Sequence, residues 1–118
     1  MLIKTANELY EMGWKTTKNQ RKMLKYDHVY LPVVVCADGF RVSIQAGAAL
    51  YSIPREDGMY PYSAFELGYP SEEEPLINEY AEYYGSDGID YTDTVYPFVP
   101  TELVDEVLRK HGYIVSFA

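Results

Sequence analysis

No lysine or arginine stands between Arg55 and Arg109. A stretch as long as residues 56–108 without a cation cannot hold a nucleic-acid backbone by itself, because affinity for phosphates comes from Lys and Arg. Cysteine is nearly absent as well. Cys36 is alone, which excludes an intrachain disulfide and fits a reducing compartment. No apolar run approaches the roughly 20 residues a membrane helix needs, and the first residues lack the charged-then-apolar order of a secretory leader. The expectation is a chain that works in the cytoplasm, away from membranes. His28, His111 and Cys36 show no metal-ligand spacing, so no metal site is expected. Asp87, Asp90 and Asp93 recur every third residue, whereas a calcium loop needs alternating ligands and a closing glutamate. Gly-x-Ser-x-Gly, P-loop and dinucleotide fingerprints are missing. No cluster of mismatched titrating groups is visible, and the Glu72-Glu73-Glu74 run is read as anions at a helix start. The chain is expected not to be an enzyme and to take no cofactor.

What fills the cation-free stretch is acid and tyrosine: it contains 14 of the 18 carboxylates and eight of the 13 tyrosines. Residues 1–60 have eight basic and six acidic side chains, and residues 61–118 have two and 12, for a net charge of −8. Charge of that size argues against gripping duplex DNA or an anionic membrane with the whole surface. Two uses remain for the acidic half besides simple solvation. It can meet a basic protein partner, its carboxylates imitating a phosphate backbone, or the dipolar chain can assemble with copies of itself.

At 118 residues, 47% of them hydrophobic, the chain has the size and apolar content of one domain. Thr5-Ala6-Asn7-Glu8 is a capping box that predicts a helix over 6–12 with Gly13 as its stop. A second, basic helix is predicted over 18–26. Asp38-Gly39 between apolar runs predicts a two-residue hairpin with Val35 opposite Val42 and Val33 opposite Ile44. Pro32 then predicts that strand 29–37 lies at a sheet edge. A third strand is predicted over 63–69. Apolar residues at 76, 77, 80, 81 and 84 predict a helix from Pro75 to Gly85, and 94–99 reads as extended. A last helix starts at Pro100-Thr101 and ends at Gly112, with His111 as a C-terminal cap, and 113–117 adds a closing strand. The fold class is α+β: a small, mostly antiparallel sheet, with an N-terminal helical segment over 1–27, strands over 28–70, and C-terminal helices packed on one face.

The few cations outside the N-terminal segment can still serve an anionic ligand if they converge. Arg41 and Gln45 are placed on the polar hairpin face, with Tyr51, Arg55, Arg109 and Lys110 as the other candidates. Guanidinium groups hold phosphates through paired hydrogen bonds, and tyrosine rings stack on bases for about 1–3 kcal/mol each. The competing reading is dispersed surface charge. Cys36, on a strand among valines, reads as a buried thiol without chemistry.

Two blocks of motifs carry a resemblance. The first is Ser43-Ile44-Gln45-Ala46, then Tyr51-Ser52-Ile53-Pro54-Arg55, then Phe65 through Ser71 and Tyr80-Ala81-Glu82. The second is Thr94 through Pro100, with Val104, Val107 and the closing Lys110-His111-Gly112. In this order the chain, over residues 29–113, resembles small phage and prophage proteins of the Thoeris anti-defence one family. The resemblance implies a phage-encoded protein that binds and sequesters a cyclic nucleotide immune signal without cleaving it, inside the infected bacterial cell. It further implies a homo-oligomer with ligand between subunits, and ligand contacts at Gln45, Tyr51, Arg55 and Arg109. No catalytic residue is implied. Tyr113 stands where the group has a second glycine, and the basic segment 15–25 has no counterpart.

Overall fold

The computed structural model describes residues 2–16, 30–82 and 88–118, and the predicted basic helix over 18–26 lies outside them. Helix α1 spans Ala6–Thr16, followed by strands β1 (Val34–Cys36), β2 (Arg41–Gln45) and β3 (Ala64–Gly68). A 3-10 turn, Pro75–Tyr80, precedes β4 (Val95–Pro100), helix α2 (Thr101–Lys110) and β5 (Ile114–Phe117). The strands form one antiparallel sheet in the order β4-β3-β2-β1-β5. The architecture is α+β, with α2 packed on β3, β4 and α1. No described helix is long and apolar enough to cross a membrane.

Alternation along the strands divides the sheet into two faces. Val42, Ile44, Phe65 and Leu67 point into one core cluster with Leu9, Tyr10, Val104, Val107 and Leu108 from the helices. Burying each such aliphatic side chain contributes about 1.5–3 kcal/mol. The polar face carries Arg41, Ser43 and Gln45 on β2, with Glu66 of β3 directly beside Gln45. α1 starts on the predicted capping box. Thr5 Oγ1 accepts the Glu8 N–H and Glu8 Oε2 accepts the Thr5 N–H, both at 3.1 Å. The helix runs through Gly13 to Thr16. Gly13 is not a stop: a side chain there would collide with Leu31, so its role is close approach.

The hairpin differs by one residue from its predicted pairing. The Gly39 N–H reaches the Cys36 carbonyl at 2.9 Å, the Cys36 N–H reaches the Phe40 carbonyl at 2.8 Å, and Gly39 lies at φ +92°. Ala37–Gly39 is therefore a three-residue loop closed by one left-handed glycine, and Asp38 keeps negative φ while its carboxylate accepts the Phe40 N–H at 2.9 Å. Val34 now faces Val42, and Val35 faces Arg41. A one-residue slip exchanges faces, so Val34 and Cys36 are buried while Val33 and Val35 turn outward. Nor is β1 an edge: β5 pairs with its free side, and Pro32 lies before the ladder begins.

The helix predicted from Pro75 is instead the short 3-10 turn. Glu74 caps it by accepting the Leu76 N–H at 3.0 Å. Past Ala81 the chain turns extended, because the Glu82 N–H bonds the Val95 carbonyl at 2.9 Å. Tyr84 and Gly85, the end of that prediction, lie outside the described residues. α2 ends as predicted at Gly112, whose φ of +85° suits glycine and whose missing Cβ would lie 2.8 Å from the Ala37 Cβ. The hairpin tip thus packs directly on the corner between α2 and β5.

Candidate functional site

After β2 the chain crosses the polar face of the sheet before returning as β3. Ser52, fully buried, holds that crossing in shape: its hydroxyl accepts the Gly47 N–H at 3.1 Å and donates to the Pro54 carbonyl at 2.9 Å. Tyr51 and Arg55 flank this pin. The Arg55 Nε–H donates to the Leu50 carbonyl at 3.0 Å, which fixes the guanidinium with its carbon 5.0 Å from the Tyr51 ring centroid. That is cation–π range. No carboxylate pairs with Arg55 within 4 Å among the described residues.

Phe98 completes the cluster from β4. The pairing of β3 with β4 shifts between Phe65 and Leu67, leaving Pro97 and Phe98 opposite Glu66 as a bulge. Bulges re-aim side chains and gather beside functional sites. Phe98 adopts φ +53°, its N–H bonds the Tyr51 carbonyl at 3.0 Å, and its ring lies 5.6 Å from that of Tyr51. Tyr51 and Phe98 are each 38% exposed, large hydrophobic residues left partly in water beside a cation. Beneath them the Tyr51 N–H points at Glu66 Oε1 from 3.4 Å. Burial, then the nearby charge of Glu82, pushes the Glu66 carboxyl above its ordinary value against the pull of that N–H and Arg55. The arrangement offers a stacking surface, a fixed guanidinium and one half-buried carboxyl.

The other predicted ligand contacts lie elsewhere. Gln45 shares the polar face but is buried, and its amide serves the chain: it donates to the Leu31 carbonyl at 2.7 Å and accepts the Leu31 N–H at 2.9 Å. It replaces a missing strand partner, a role its place in the motif did not reveal. Arg109 projects from α2 on the helical side. It lines a groove of about 400 Å³ with Lys4, Thr5, Glu102, Asp105, Glu106 and Tyr113. Lys4 Nζ lies 5.7 Å from the Tyr113 ring centroid, and the buried side of the groove is tied by Asp105 accepting the Ala6 N–H at 2.9 Å. Burial raises the Asp105 carboxyl, and the charges of Glu102 and Glu8 add to the rise. Arg41 is exposed, held to Ser71 through its backbone. Lys110 is engaged with Glu74.

That last contact belongs to a cluster of titrating groups that the sequence reading missed. His111, 6% exposed, has Nδ1 2.6 Å from Asp38 Oδ2 and Nε2 2.7 Å from Glu74 Oε1, and its ring stacks on Phe40 at 4.0 Å. Lys110 Nζ adds bonds of 2.8 and 2.9 Å to the two oxygens of Glu74. Burial opposes the ionised form of Glu74, but Lys110, the Leu76 N–H and His111 together hold its carboxyl below the ordinary value. Glu74 is thus the anion at the start of the 3-10 turn and also the hub of this cluster, and His111 is more than a cap. The only sequence signal was Glu74 before Pro75, a cap followed by a first-turn proline. With both ring nitrogens facing carboxylates, the imidazole has none left for a substrate.

Among the described residues no three His, Cys, Asp or Glu side chains are placed to hold a metal. Cys36 is buried, and burial, with the Asp38 charge, pushes its thiol up to about 11. No protein-family model, curated protein or solved structure matches this chain.

Proposed function

We propose that this protein is a non-catalytic module that retains a cyclic nucleotide, a base resting on Tyr51 and Phe98 and a phosphate on Arg55. The supporting observation is the fixed guanidinium 5.0 Å from an exposed tyrosine whose second aromatic neighbour is held at positive φ. Unusual backbone geometry under an exposed side chain is a reason to suspect function there. Stacking on each ring contributes about 1–3 kcal/mol, too little for retention on an open surface. Arg109 is displayed on the opposite layer of the same chain. In this reading a second copy closes the site: the Tyr51–Arg55–Phe98 surface of one protomer meets the Arg109 groove of its partner. The resemblance of the motif order to that of the Thoeris anti-defence one family points the same way, toward sequestration of an immune signal.

Native mass spectrometry with cyclic dinucleotides, cyclic trinucleotides and cyclic ADP-ribose isomers tests this, followed by heat release and chromatography of the ligand. The expected result is a retained, chemically unchanged nucleotide, lost in Arg55→Ala. Mixing Arg55→Ala with Arg109→Ala chains restores part of the binding, because a mixed pair rebuilds one intact site. Absence of retention for every nucleotide, or release of an altered product, overturns the proposal.

A second reading, capture of a basic defence effector, draws on the exposed Glu72, Glu73 and Glu79 around the 3-10 turn. Lysine at both Glu79 and Glu82 should then abolish capture, and undiminished capture by that variant rejects it.

A further inference from the structure

The cluster at His111 joins three parts of the chain that are distant in sequence. Asp38 comes from the hairpin loop, Glu74 from the cap of the 3-10 turn, and His111 with Lys110 from the end of α2. Phe40, just before β2, covers one side of the imidazole with its ring and brings no charge. Each ring nitrogen makes a full hydrogen bond to its carboxylate only when it carries a proton. In that form two anions face two cations, and the buried site is neutral.

The two carboxylates are not equivalent. Glu74 is 1% exposed: Lys110 already lies 2.8 Å from Oε1 and the Leu76 N–H serves Oε2, so neither is free to take the imidazole's place, and bulk water does not reach the carboxylate. Asp38 is 49% exposed, and water can take over its bond. An imidazole with a single proton therefore keeps Nε2–H on the carboxylate that cannot be solvated. Its Nδ1 then turns a lone pair toward Asp38 at 2.6 Å, a repulsive contact that the aspartate relieves by rotating into solvent.

We propose that Asp38, His111 and Glu74 form a proton-operated latch on the hairpin loop, closed while the imidazole is doubly protonated and open at the Asp38 end when Nδ1 loses its proton. Two backbone bonds, Asp38 N–H to the His111 carbonyl at 3.2 Å and Ala37 N–H to the Tyr113 carbonyl at 3.0 Å, remain as the hinge. The moving part is the Asp38 carboxylate with the Phe40 amide it accepts, and Glu74 with the 3-10 turn stays in place. This device uses none of the side chains of Tyr51, Arg55 or Phe98, and Arg109 meets it only through the backbone carbonyl that accepts the His111 N–H.

Nitrogen-15 NMR of the intact protein across its titration reads the outcome directly. The expected result is that Nδ1 of His111 loses its proton, Nε2 keeps it, and the Gly39 and Phe40 amide signals move with the same midpoint. Asp38→Asn removes the anion from the exposed side and moves that midpoint down by about one pH unit. In that variant the Phe40 amide no longer follows the imidazole. Loss of the Nε2 proton instead, turn amides silent through the titration, an imidazole that never titrates in the folded protein, or an unmoved midpoint in Asp38→Asn overturns the latch.

Discussion

Replacing Glu74 by glutamine keeps the shape of the side chain and removes its charge. The carboxylate serves three donors at once: the His111 imidazole at 2.7 Å, the Lys110 ammonium at 2.8 Å and the Leu76 N–H at 3.0 Å. Lys110, about half exposed, can return to water at little cost, as surface ion pairs contribute only about 0–1 kcal/mol. His111 cannot. Removing one partner of a buried, hydrogen-bonded charge pair costs about 3–5 kcal/mol; because Asp38 still faces Nδ1, the lower end of that range is expected. Against a domain stability of about 5–15 kcal/mol the loss is plain in urea unfolding. The pH dependence supplies a second check. Asp38 and Glu74 are both held below their ordinary values; for Asp38 partial desolvation opposes this, and the Phe40 N–H and the imidazole outweigh it. Their contribution is present above the unfolded carboxylate range, near about 4, and is lost as pH falls through the lower folded values. Glu74→Gln lacks its share, so the stability gap to the parent protein should narrow as pH drops below about 4. A loss under about 1 kcal/mol at neutral pH, or a gap that stays constant into acid, would refute the assignment of Glu74 as a buried ionised partner.

Three other substitutions or treatments separate structure from function. Gly112→Ala places a methyl group 2.8 Å from the Ala37 Cβ at φ +85°, so a stability loss of about 1–3 kcal/mol is expected in thermal unfolding. Gln45→Ala strands the backbone of Leu31 and costs about 1–3 kcal/mol, while nucleotide retained per folded molecule stays unchanged; a selective loss of retention would make Gln45 a ligand contact after all. Cys36, buried and raised to about 11, should react with a thiol reagent at pH 8 only as fast as the protein opens. Labelling at the rate of a free thiol would contradict its burial.

Elements whose signal is local were legible in the sequence. The Thr5–Glu8 capping box, the glycine at 112 and the third strand all depend on neighbours within a few residues, and all stand where local chemistry places them. The hairpin was legible as a hairpin but not in its pairing. Asp38-Gly39 fits a two-residue or a three-residue loop, and in the three-residue loop observed the Asp38 carboxylate meets His111, 73 residues away. The same distance hid the titrating cluster. Beyond the place of Glu74 before Pro75, nothing in Glu72-Glu73-Glu74 marks which carboxylate meets Lys110 and His111, because that depends on α2 delivering both to one end of the 3-10 turn. The apolar stripe after Pro75 misled for a related reason. Its residues do face the core at Ile77, but the Glu82–Val95 bond pulls the chain straight before an α-helix can extend.

The candidate site shows the same division between what is local and what is assembled. Tyr51 and Arg55 are four residues apart on one pinned crossing, so their meeting is a local event. Phe98 joins them only because β4 bulges opposite Glu66, and no motif in residues 94–100 announces that. Arg109 faces away on α2, and no movement of a folded chain brings a helix-surface guanidinium through the sheet to the opposite side. If Arg55 and Arg109 serve one ligand, they do so from two chains. That makes subunit number and ligand retention a single question: a protein that stays monomeric while holding a nucleotide would leave Arg109 without a part in it, and an Arg109→Ala chain would then bind as the parent does.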